Sequence, residues 1–119
     1  MDYSQLEDTE ITIRVGETFG WNPYFINGDG SVVFRDDRGR LKGRKDYCNN
    51  PADAWAIILE HGISVAFDKN EDEWVAWGDF AFDLAGWDMK EQPAEYEHHV
   101  NPLRAAMIVF LMMQESQHA

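Results

Sequence analysis

The chain has 119 residues, 45% of them hydrophobic and 13% aromatic, which suits one domain spanning residues 1–119 with a core of its own. Twenty-two acids against ten bases give a net charge of −12, which argues against nucleic acid or an anionic membrane as a direct partner. No apolar run reaches the length of a membrane span, and the acidic start Met1–Asp8 does not read as a secretory signal. The single cysteine, Cys48, excludes a disulfide within the chain and fits a reducing cytoplasm.

Along the chain, Asp8 followed by Ile11, Val15 and Phe19 at i, i+4, i+8 predicts a helix over residues 8–20, capped by Asp8 and ended by Gly20. Ile11, Ile13 and Val15 also alternate, so a strand competes with it. Asn27-Gly-Asp-Gly30 is a turn signal between two short strands, Tyr24–Ile26 and Ser31–Arg35. Residues 36–46 carry charges and two glycines with little apolar content, and read as a mobile loop.

Asn50-Pro51 starts a second helix, with Ala54, Trp55, Ile57, Ile58 and Leu59 as its apolar face and Gly62 as its left-handed end. Ile63–Phe67 and Glu73–Trp77 then form a hairpin around Asp68–Asp72. Ile63, Val65 and Phe67 share one face, as do Val75 and Trp77. Residues 78–100 are acidic and aperiodic, and read as a long irregular connection. Asn101-Pro102 opens a helix to Gln114 that is apolar nearly all round and belongs in the middle of a core. Glu115–Ala119 reads as a fraying tail. The order of elements implies an α+β fold, three helices packed on a small antiparallel sheet in a layered α/β/α-type sandwich.

Charge is unevenly placed. Residues 35–46 hold six bases and three acids, an island in an otherwise acidic chain. The island has no interleaved aromatics and no nucleic-acid signature, and reads as a solvated loop, with pairing to acids of the same molecule or of a second copy as the alternative. Asp68, Asn70 and Asp72 have the spacing of a calcium loop. Glu73 stands where that loop needs glycine, however, so a solvated turn is the better reading. Glu95-Tyr-Glu-His-His99 offers imidazoles and carboxylates to a metal, against the simpler reading of an exposed linker. Cys48 sits before a helix start but has no nearby base in sequence, so it reads as a packed thiol. Trp55, Trp74 and Trp77 lie on core-building elements. Trp21 reads as a cover for the core edge, and Trp87 equally as cover or as an interface anchor.

Two segments, Tyr47-Cys-Asn-Asn-Pro-Ala-Asp-Ala-Trp-Ala-Ile-Ile-Leu-Glu-His-Gly-Ile-Ser64 and Asn101–Gln114, resemble the NinX-like proteins of lambdoid bacteriophages, and Met1–Leu6 is similar to the start of that family. The resemblance implies a phage accessory protein in the host bacterial cytoplasm. It implies no established activity and brings no catalytic residues with it.

The expected function is therefore non-enzymatic: binding of a host or phage protein with a basic surface, with a DNA-mimic inhibitor as the sharper form. The acids Asp68, Glu71, Asp72, Glu73, Asp79, Asp83 and Asp88 would supply the surface and Trp87 an anchor. No catalytic residue, metal or cofactor is expected, and the oligomeric state is open. The alternative is a binder of a small ligand, a nucleotide or a metal. An enzyme ranks last, because no nucleophile–base pair or phosphate loop is visible.

Overall fold

The computed structural model describes residues 1–78, 82–83, 88–89 and 95–117. A 3-10 turn at Tyr3–Gln5 leads into α1, Asp8–Thr18. Ile11, Thr12, Val15 and Gly16 of α1 are buried, so the 3.6-residue spacing prevails over the alternating one. Asp8 does not cap the helix as expected. Glu7 holds the cap position without a side-chain bond, and the Asp8 carboxylate turns to the Arg104 guanidinium at 2.7 Å. Phe19 lies just past the helix, and Gly20 takes φ +80°.

β1 (Asn22–Ile26), β2 (Val32–Arg35) and β3 (Leu41–Lys45) form an antiparallel sheet in the order β1-β2-β3. β3 lies in the segment expected to be a loop. The Asp36 carboxylate accepts the backbone N–H groups of Arg38 and Arg40 at 3.0 and 2.8 Å and folds the reversal that returns the chain along β2. This strand is an exposed polar edge, so it has no hydrophobic alternation by which to show itself. Val32 and Phe34 of β2 point inward onto α1. The approach is close enough that a Cβ at Gly16 would overlap the Phe34 ring.

α2 (Pro51–His61) begins as expected, with the Asn50 carboxamide accepting the Ala52 N–H at 3.0 Å, and ends at Gly62 with φ 63°. Ala54, Ile57 and Ile58 are buried, and α2 packs on α3. Trp55 and Leu59 do not join that face. One turn apart, they project outward, and Trp55 is 56% exposed.

β4 (Ser64–Asp68) and β5 (Glu73–Trp77) make the expected hairpin, and β8 (Tyr96–His99) adds to β5 to give a second antiparallel sheet. The connection between β5 and α3 is thus not irregular throughout. Besides β8 it carries a short ladder, β6 (Phe82–Asp83) with β7 (Asp88–Met89). Ala76 is the buried residue of β5, on the side facing α3, while Val75 and Trp77 occupy the opposite side.

α3 (Pro102–Gln117) buries Arg104 to Leu111 and Met113, and meets α1, α2 and the β4-β5-β8 sheet. Each fully buried Met, Ile, Val or Phe here contributes about 1.5–3 kcal/mol relative to exposure. The helix runs past residue 114, because Glu115 is held from both sides: its carboxylate takes the Met1 ammonium at 3.1 Å and the Tyr3 hydroxyl at 2.7 Å. The class is α+β, with two three-stranded sheets, the short β6–β7 ladder, and helices packed among the larger sheets.

Candidate partner-binding surface

Four of the acids expected to form a surface, Asp68, Glu71, Asp72 and Glu73, come together at the β4–β5 turn. Asp68 and Glu73 are the last opposed pair of the ladder. One oxygen of Asp68 accepts the N–H groups of Asn70 and Glu71 at 3.0 and 3.4 Å, and the other lies 3.7 Å from Nε2 of His98. Asp72 takes the left-handed conformation at φ 56°, one that Asp tolerates better than most residues. Asp68 therefore shapes the turn. Glu71 and Asp72 remain exposed, and among the described residues neither they nor Glu73 form an ion pair.

Beside the acids lies an aromatic pair that the sequence reading did not single out. Phe67 and Trp74 oppose each other across the ladder, edge to face, with centroids 5.4 Å apart. Both sit on the α3 side of the sheet, yet Phe67 is 48% exposed. The available signal was adjacency, an aromatic at each root of a charged turn.

Asp83 and Asp88 are opposed positions in the β6–β7 ladder, and Asp79 and Trp87 lie outside the described residues.

The other constellations resolve into structure. Among the described residues no group of three or more His, Cys, Asp or Glu side chains is arranged to hold a metal. Glu95 is buried where a linker was expected, accepting the Ser116 hydroxyl at 2.9 Å. His98 and His99 alternate across β8. His98 faces Asp68, and Nδ1 of His99 accepts the Asn101 N–H at 2.9 Å. Cys48 is fully buried with its thiol directed at the Asp8 carbonyl. Burial first, and then the Asp8 carboxylate, hold it protonated well above the ordinary thiol range. Trp21 packs against Phe19 and Phe34 at the core edge.

The basic island pairs largely with the chain's own acids. Asp36 takes Arg40 and Lys42 at 3.5 and 3.8 Å, Asp29 takes Arg44, and Asp53 takes Lys45 at 3.9 Å. The backbone N–H of Arg40 is the main influence holding the Asp36 carboxyl below its ordinary range. A polar cleft of about 370 Å³ lies beside these pairs, lined by Asp29, Ser31, Arg44, Asp46, Asn49 and Asp53 among others. No helix among the described residues is long and apolar enough to cross a membrane.

The α+β fold thus brings acidic side chains and an exposed aromatic pair together at the β4–β5 hairpin end. The family model described as Bacteriophage P22, NinX matches residues 2–114, and the chain belongs to that family. No curated protein and no solved structure matches it.

Proposed function

We propose that this chain is a non-enzymatic phage accessory protein that works in the host bacterial cytoplasm by binding a host or phage protein with a basic surface. The observation that carries the reading is the hairpin end. Exposed Glu71 and Asp72 stand next to the Phe67–Trp74 pair, so an apolar anchor and an unneutralised acidic rim share one projecting turn. Aromatic anchors supply binding energy once water is excluded, and charges around them steer a complementary surface into place. A basic protein that normally holds DNA fits this chemistry, which is the DNA-mimic form of the proposal.

The test is affinity capture from host lysate at low and high salt, with parent chain and a Glu71→Lys/Asp72→Lys variant side by side. The expected result is a stoichiometric partner that the variant loses and that high salt releases. Reversing two rim charges should weaken that partner's affinity by about tenfold or more. A partner held equally by both proteins at both salts would refute the acidic-turn reading, and substrate turnover by the purified chain would refute the non-enzymatic one.

A further inference from the structure

We propose that the outward face of the β1-β2-β3 sheet joins two copies of this chain in a symmetric dimer. One face of this sheet is covered by α1, onto which Val32 and Phe34 point. Alternation turns Val33 and Arg35 the other way, and the register places Phe25 opposite Val33 and Leu41 opposite Arg35. Tyr24, at the bulge in β1, lies under the Arg35 guanidinium, 3.6 Å from its ring centroid. Phe25 is 57% and Leu41 65% exposed, and every residue of β1 is exposed. An aromatic and aliphatic centre with arginine stacked on it has the composition of the middle of a protein interface.

Charge decides what covers it. Residues 22–46 hold six bases and four acids, and the rest of the chain holds eighteen acids and four bases. A self-contact through the strongly acidic remainder would set like charge against like charge. On this face the rim carries both signs in adjacent pairs, Arg44 with Asp29 and Arg40 and Lys42 with Asp36. A two-fold contact sets a patch against itself, so it needs a patch that is self-complementary. The face meets that requirement, with an apolar centre and a rim whose pairs can be exchanged between copies. The contact is face to face. Pro23 and the bulge at Tyr24 disfavour strand pairing along the β1 edge.

Sedimentation equilibrium of the full chain over a range of concentrations, at low and high salt, tests this. The expected mass at high concentration is twice the 13.8 kDa of one chain. High salt should tighten the dimer, because it screens the repulsion between two strongly acidic copies while leaving the apolar centre intact. Phe25→Asp, and independently Leu41→Asp on the other edge strand, should each raise the dimer Kd by about tenfold or more. Trp55→Ser, on the exposed side of α2, should leave it unchanged. A monomer at all concentrations, dimers unaffected by both Asp variants, or loss of the dimer in Trp55→Ser would each overturn the proposal. So would saturable binding of a fluorescent oligothymidylate by a monomeric chain that Tyr24→Ser abolishes, since the face would then belong to single-stranded nucleic acid.

Discussion

Arg104 of α3 reaches Asp8 at the start of α1, joining positions 96 residues apart through a 2.7 Å contact. Its other terminal nitrogen donates to the carbonyls of Ser4 and Leu6 at 3.1 and 2.6 Å. One buried guanidinium thereby ties the N-terminal segment to the central helix. Removing it deprives a half-buried carboxylate and two carbonyls of their donor together. Arg104→Ala should lower the unfolding free energy by about 2 kcal/mol, below the range for breaking a fully buried pair because the Asp8 carboxylate is 40% exposed. Asp8→Asn, at the more exposed end, should cost less. Denaturant unfolding of both variants checks the order, and an Arg104→Ala chain as stable as the parent would refute the assignment.

Gly16 predicts a substitution that goes against helix propensity. Alanine in mid-helix is normally favoured over glycine by about 1 kcal/mol. Here its methyl would enter the Phe34 ring, and overpacking of this kind costs about 1–3 kcal/mol. Gly16→Ala should therefore destabilise, and Phe34→Leu should relieve part of that loss in the double variant. Gly78→Ala meets the flexible side chain of Met113 instead and should cost less. Thermal melts of the parent, the three single variants and the double variant decide it, and a Gly16→Ala chain as stable as the parent would refute it.

The two Asn-Pro helix starts should differ in worth. Asn50 caps α2 through one bond to Ala52. The Asn101 side chain accepts the N–H groups of Leu103 and Arg104 at 2.9 and 3.3 Å, and also donates to the Cys48 carbonyl at 2.7 Å, tying the start of α3 to the segment before α2. Asn50→Ala should cost about 1 kcal/mol, the usual loss of a cap. Asn101→Ala should cost about 2 kcal/mol, because a long-range bond goes with the cap. Equal losses in urea titrations would contradict this.

Alkaline pH should weaken the fold. Burial is the largest cause raising the Cys48 thiol and the Tyr47 phenol, and it raises Tyr3 to about 12 with help from Glu115. Raised groups keep their protons in the folded chain where the unfolded chain has lost them. Their contribution is complete below the unfolded values, about 8.5 for Cys and about 10 for Tyr, and is lost as pH rises toward the folded ones. Urea midpoints should fall from about pH 8.5 upward, and the first part of that fall should vanish in Cys48→Ala, measured against that variant's own neutral value. In the native chain at neutral pH the thiol should react slowly with a disulfide reagent and become reactive on unfolding.

Local chemistry made much of this fold legible. Asn50-Pro51 and Gly62 bound α2 because a cap, a fixed φ and a left-handed end are decided within a few residues. The α3 segment showed its central position because a helix apolar nearly all round has no side left for water. The hairpin and the acids at its turn were likewise visible, since alternation and turn residues are short-range signals.

What lay beyond the sequence depends on how far each element is covered. β3 is a polar edge strand formed by pairing with β2, and its own composition reads as loop. Trp55, Leu59 and Phe67 are as hydrophobic as core residues, yet α2 turns the first two outward and the third stays half-exposed on the β4–β5 hairpin. Tyr24 and Phe25 stand apart in sequence from the bases of residues 35–45, and only the three-stranded sheet brings them to one face. The sequence by itself determined the helix ends, the turn chemistry and the charge. Tertiary structure alone decided which apolar side chains stay in water and which charges meet, because packing geometry, not residue type, sets what covers a surface.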